Sequence, residues 1–122
     1  MTKNKLTVNK LIDVIVEGVE DLKGEEITIM DLRDIETAVC DYFIICNGTS
    51  NTHVNAIAGS VRRKVKEEAQ ENPWHIEGED NGEWVLMDYV NIVVHIFQKQ
   101  TREYYDLESL WGDAEIISAE NN

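Results

Sequence analysis

The last third of this 122-residue chain, Glu83 to Asp113, is poor in chemistry: it has no carboxylate cluster, no Cys/His ligand set and no glycine-rich phosphate loop. Elsewhere the nearest approach to a phosphate loop is Asn47-Gly48-Thr49-Ser50, with one glycine and no following lysine. It reads as a capped strand-to-helix turn, with anion binding at the helix N-terminus as the rival reading. Long apolar runs are also missing. None approaches the ~20 residues that cross a bilayer, and the N-terminal apolar stretch contains Asp13 and Glu17 and no small-residue cleavage site. Neither a signal peptide nor a membrane association is expected, and cytoplasm is the default localisation. Cysteine is limited to Cys40 and Cys46. An extended strand would hold them about 20 Å apart, so the two thiols are expected unpaired, as in a reducing compartment. Basic residues are scarce: 11 against 24 acidic ones, for a formal net charge of -13. A grip on nucleic-acid backbone needs many Lys and Arg, so direct nucleic-acid binding is disfavoured. An acidic surface suits a basic protein partner, or serves solubility alone.

What is present fits one domain. A chain of this length buries about two-thirds of its unfolded surface and needs neither metal nor disulfide to fold. Leu11, Ile15, Val19 and Leu22 recur at helical spacing, with Thr7 as cap and Gly24 as stop. Glu26 to Leu32 has strand character, Asp34 to Thr37 reads as a turn, and Cys40 to Cys46 reads as a central strand. A second helix follows Ser50 or Asn51, with Val54, Ile57, Ala58, Val61 and Val65 on one face. Arg62, Arg63, Lys64 and Lys66 form a basic opposite face, most simply a solvated one. Trp74 to Glu77, Glu83 to Tyr89 and Ile92 to Gln98 are further strands, with a tight hairpin turn expected at Asn81-Gly82. Thr101 is expected to cap a last helix from Arg102 to about Trp111, ended by Gly112. The order predicts an α/β domain with a mixed sheet packed by helices over residues 1–117, and residues 118–122 as a mobile tail.

Three arrangements invite a chemical reading. Ser50 and His53 lie close enough to approach, but no nucleophile elbow surrounds them, and His53 is better read as a partner of the preceding turn. His95 shares a strand face with Val93 and Phe97, and with Asp88 makes at most two ligands, which is not a metal site. Trp84 opens a strand directly after the acidic turn Glu77 to Glu83, with Leu86 and Asp88 on its face and Val85, Met87 and Tyr89 on the other. An aromatic beside acids at a strand start reads as an interface anchor, or as an edge-of-core residue.

Three motifs carry a family resemblance. Asp41-Tyr-Phe-Ile-Ile-Cys-Asn-Gly-Thr-Ser-Asn-Thr-His53 resembles a D-[YF]-apolar run ending in G-T-S-x-x-H. Glu83-Trp-Val-Leu-Met-Asp-Tyr89 with Val93-Val-His-Ile-Phe97 resembles E-W-apolar-D-[YF] and V-H-[VI]-F, and Arg102 to Trp111 resembles R-x-x-Y-x-L-E-x-L-W. These are similar to the ribosomal silencing factor family, RsfS or Iojap. One departure is Val90-Asn91, where the family commonly has Gly-Asp. The resemblance implies a nucleotidyltransferase-like fold without catalytic activity or cofactor. It implies binding to the large ribosomal subunit through ribosomal protein L-fourteen, a basic protein, so that subunit joining is sterically blocked and translation is repressed when nutrients are limited. Carried over, Trp84, Asp88 and Tyr89 are the expected contacts, with Met87 and Phe97 as neighbours. Arg102, Tyr105 and Trp111 match the motifs but suit a packing role equally. The competing class is a metal-dependent nucleotidyltransferase-like or nucleotide-binding enzyme, against which stands the isolation of Asp88 from any carboxylate partner. A homodimer through an apolar sheet face is left open.

Overall fold

A computed structural model describes residues 6–119. Its elements are α1 (Val8–Asp21), β1 (Glu25–Asp31), β2 (Tyr42–Gly48), α2 (Asn51–Ala69), β3 (His75–Glu77), β4 (Trp84–Asp88), β5 (Ile92–Gln98), α3 (Lys99–Tyr105), α4 (Leu107–Leu110) and β6 (Glu115–Ala119). The strands form one sheet in the order β3-β4-β5-β2-β1-β6. β2 and β5 run parallel, and the other pairs are antiparallel. The expected α/β domain with a mixed sheet is what the chain forms.

Both long helices start where a side chain can replace a missing backbone partner. Thr7 Oγ1 accepts the Lys10 N–H at 3.2 Å, and Ser50 Oγ accepts the His53 N–H at 3.0 Å. Leu11, Ile15 and Val19 of α1 are buried, as are Val54, Ile57, Val61 and Val65 of α2. Each such side chain contributes about 1.5–3 kcal/mol by leaving water. Gly18, unfavourable within an isolated helix, has a packing reason. A Cβ there would stand 3.0 Å from the Val61 backbone, and the Gly18 carbonyl accepts the buried Ser60 hydroxyl at 2.7 Å. The glycine lets α1 and α2 approach closely. α1 ends at Asp21 with Leu22 as its C-cap, and the left-handed residue that turns the chain is Lys23, at φ 60°, rather than Gly24.

The helices cover one sheet face, burying Ile44, Cys46, Val85, Met87, Val94 and Ile96. The other face carries Met30, Phe43, Ile45, Val93 and Phe97, partly covered by Leu107 and Trp111 and by Leu32 and Ile35. β2 is buried along its whole length, as its apolar run predicts.

Four further expectations change. β2 continues through Asn47 and Gly48, because Asn47 is held by Arg102 and Glu25 rather than by a turn. The β3–β4 connection is a longer loop in which Gly78 and Gly82 take φ 91° and 67°, so Asn81-Gly82 is not a two-residue turn. The last helix is two short helices broken at Asp106 (φ 49°), and Gln98 rather than Thr101 stands at its N-cap. Finally, Glu115–Ala119 form strand β6 on β1, because the β-branched pair Ile116-Ile117 supplies strand character on both faces. The expected tail therefore loses its first positions to the sheet, and its positions 120–122 lie outside the described residues.

Candidate functional site

Strict alternation along β4 decides which side chains reach the surface. Trp84, Leu86 and Asp88 are half-buried on the face away from α1 and α2, while Val85 and Met87 are buried beneath the helices. Across the ladder, Trp84 stands opposite Phe97, Leu86 opposite His95, and Asp88 opposite Val93. Trp84 stacks on Phe97 with ring centroids 4.9 Å apart and meets Tyr105 of α3 at 4.8 Å. Its indole N–H donates to His95 Nδ1 at 3.0 Å. That bond assigns the remaining proton of the neutral imidazole to Nε2, which is buried without a partner among the described residues. Burial holds the His95 pKa down to about 4.

At the end of β4 the surface deepens into a groove of about 390 Å³ lined by Val39, Cys40, Trp74, Asp88, Val90 and Val93. Trp74 is 80% exposed, Val39 86% and Val90 61%, so large apolar side chains are displayed around one carboxylate. Asp88 Oδ1 accepts the Val90 N–H at 2.7 Å, which fixes the carboxylate in place. Trp74 is positioned by its backbone N–H, which donates to the Asp88 carbonyl at 2.7 Å. Cys40 lines the groove as an inert thiol, since burial pushes its pKa up to about 11. Cys46 is deeply buried and pushed up to about 12; both cysteines are free.

Of the expected contact residues, Trp84 and Asp88 are on this open face. Met87 and Tyr89 are not: both point under α2, where Met87 is fully buried and the Tyr89 hydroxyl has no partner among the described residues. The odd spacing from Trp84 puts them on the helix side of the sheet. Phe97 is fully buried below Trp84, so it supports the indole rather than touching the exterior. Trp74, Val39 and Val90 were missed. Trp74 sits just before a short strand in a turn-rich stretch, and only its place beside Asp88 in the folded sheet makes it part of the groove.

The other constellations resolve into structural roles. His53 Nδ1 accepts the Thr49 N–H at 2.9 Å, and its Nε2 lies 2.6 Å from the Leu22 carbonyl, so the ring staples the end of α1 to the strand-to-helix turn. It is turned away from nucleophile duty on Ser50. Asp88 and His95 do not pair with each other. Among the described residues no three His, Cys, Asp or Glu side chains are grouped to hold a metal ion. Lys64 is drawn to Asp21 at 3.2 Å, while Arg62, Arg63 and Lys66 are exposed. Arg102 is a packing residue: it donates to the Glu26 carbonyl at 2.7 Å, Asn47 Oδ1 at 2.9 Å, Thr28 Oγ1 at 3.0 Å and Glu108 Oε2 at 2.6 Å. This network ties α3 and α4 to β1 and β2. No described helix is long and apolar enough to cross a membrane.

Residues 5–122 match the family model described as "Ribosomal silencing factor during starvation". The chain is 40% identical over 109 residues to the ribosomal silencing factor RsfS of Bacillus subtilis, covering 87% of this chain and 88% of that one. It is 31% identical over 102 residues to mouse "Mitochondrial assembly of ribosomal large subunit protein 1", covering 82% of this chain and 44% of the mouse protein. A crystal structure of a Chromobacterium violaceum protein superposes with a TM-score of 0.81 at 36% identity, covering 88% of each chain.

Proposed function

This chain belongs to the ribosomal silencing factor family, and on that premise we propose that it represses translation by docking on the large ribosomal subunit and blocking subunit joining. The observation that carries the reading is the open face of β4, which aligns Trp84, Leu86 and Asp88, and the groove at its end, where Trp74, Val39 and Val90 stand around Asp88 on a molecule of net charge -13. Trp84, held by Phe97, Tyr105 and His95, loses little entropy on binding, and the fixed Asp88 carboxylate on the same face selects a cationic side chain. The partner this chemistry fits is a basic ribosomal protein, and the family resemblance nominates L-fourteen. The mouse relative's name, which refers to assembly of the ribosomal large subunit, supports the choice of subunit. Long-range attraction between an acidic factor and a basic partner speeds encounter, and apolar contacts hold the complex. Action by occlusion needs no reactive group. It fits a face whose histidine is kept neutral and whose groove thiol is kept protonated.

The test is co-sedimentation of the purified protein with large subunits, alongside its effect on subunit joining. Leu86→Glu and Asp88→Lys alter the open face while leaving the helix-side core in place. Each is expected to lose at least ten-fold in binding and to restore subunit joining. Normal co-sedimentation of both variants would rule out this face as the docking surface. Binding that is lost while wild-type protein leaves subunit joining unaffected would rule out occlusion.

A further inference from the structure

At the opposite end of the sheet from Trp84, two features meet. β6 is the terminal strand, so one side of its backbone from Glu115 to Ala119 pairs with nothing among the described residues. Exposed edges are commonly guarded by lysine or proline. β6 has neither; its guards are Glu115 at its start and a register shift on β1 between Ile29 and Met30, and Ile116 and Ile117 are 50% and 51% exposed on its two faces. Beside this edge, on the helix side, α1 and β6 bound a groove of about 480 Å³. Its floor is Ile29 and Ile117, and its wall is Ile12 and Val16. Along the rim run Asp13, Glu17 and Glu20, all exposed on one stripe of α1. Glu17 has Lys64 at 3.9 Å, and among the described residues no cation lies within 4 Å of Asp13 or Glu20.

We propose that the β6 edge and this groove bind an extended basic segment of a partner protein, which adds a seventh strand to the sheet. The free backbone groups of β6 supply main-chain pairing, the mode by which strands are added to sheet edges. Asp13, Glu17 and Glu20 span about 10 Å along the helix, the length of about three strand residues. Alternate Lys or Arg side chains on the α1 side then reach the carboxylates while their methylene stems cover Ile117 and Val16. The intervening side chains fall on the other face beside Ile116 and are best apolar. A second copy of this chain fits poorly, because β6-to-β6 pairing would bring two acidic rims together on molecules of charge -13 each. The site lies on the other face of the sheet from Trp84 and four strand positions away, so it is independent of the large-subunit reading.

The experiment is an amide NMR titration of the ¹⁵N-labelled full chain with the peptide acetyl-KVKVKVK-amide, with acetyl-EVEVEVE-amide as control. Shifts are expected at Glu115 to Ala119 and at Asp13 to Glu20, with no response to the acidic peptide. The triple variant Asp13→Asn/Glu17→Gln/Glu20→Gln should bind at least ten-fold more weakly at an unchanged melting temperature, and Ile117→Lys should weaken binding as well. Four results would overturn the proposal: no binding of the lysine peptide at millimolar concentration, shifts spread over the acidic surface at large, equal affinity in the triple variant, or a free protein already dimeric through β6.

Discussion

The indole N–H of Trp84 ends on Nδ1 of His95, 3.0 Å away on the neighbouring strand. The two residues are diagonal neighbours, since Trp84 stands opposite Phe97 and Leu86 opposite His95. This one bond orients the tryptophan at the open face and assigns the histidine's tautomer.

Trp84→Phe keeps a ring over Phe97 but leaves a second buried nitrogen of His95 without a partner. It is expected to cost about 1–3 kcal/mol in urea unfolding while keeping most large-subunit binding. Trp84→Ala also removes the stacking on Phe97 and Tyr105. It should cost about 3–5 kcal/mol and lose binding by ten-fold or more at a temperature where it is still folded. Equal binding by the alanine variant and wild type would exclude Trp84 as an anchor.

His95 makes stability sensitive to acid. Burial lowers its folded pKa to about 4 from the usual 6.5. The unfolded chain therefore binds a proton below pH ~6.5 that the folded chain refuses, and stability falls as the pH drops through that window. The slope is about 1.4 kcal/mol per pH unit and the total about 3 kcal/mol. His95→Gln keeps an acceptor for Trp84 and removes the titration, so its unfolding free energy should vary less between pH 6.5 and 4. An identical pH profile in the variant would show that other groups carry the effect.

The β4–β5 connection is strained. Val90 has φ 76°, and the Asn91 N–H donates to the Tyr89 carbonyl at 2.9 Å, which makes a three-residue γ-turn around a β-branched residue. Val90→Gly should relieve this and stabilise the fold by about 1 kcal/mol, raising the melting temperature by about 4 °C. A lower melting temperature would mean that the exposed valine contributes more by contact than it costs in backbone strain.

Arg102 presents a rigid fork that a lysine cannot reproduce. Arg102→Lys should cost about 2–4 kcal/mol, by leaving Asn47 Oδ1, the Glu26 carbonyl and Glu108 short of donors. Hydrogen exchange should quicken first in Lys99–Tyr105 and Leu107–Leu110, the helices that the network holds. A uniform change across the sheet would argue against a local role.

Chemical function has its own check. Millimolar ATP with Mg²⁺ should leave the melting temperature unchanged, because a ligand of the native state has to raise it. A rise of several degrees would revive the nucleotide-binding alternative.

The core elements were legible because their patterns are local. The 3.6-residue stripe of Leu11, Ile15 and Val19, the apolar run of β2 and the alternation of Trp84 to Asp88 each report burial within a few residues. That alternation also contained the correction to the site, since odd spacing from Trp84 sends Met87 and Tyr89 to the helix side. What escaped depends on distant partners. Ile116-Ile117 resembles the end of a tail until β1 is beside it. Asn47 resembles a turn residue until Arg102 reaches it from 55 positions away. Trp74 joins the groove only through the sheet, and the left-handed backbone at Asp106 that splits the last helix has no glycine to announce it.

The pairing of β2 with β5 bears on how the protein is made. Tyr42 lies beside Ile92, fifty positions later, and every residue of β2 is buried in the finished sheet. At about 5–20 residues per second, a ribosome needs about 3–10 s between emitting the two strands. Throughout that interval β1 can pair with one edge of β2 while the other edge stays bare. The nascent chain therefore carries a sticky, half-zipped strand until almost all of its sequence is synthesised, and its yield should depend on early shelter by chaperones.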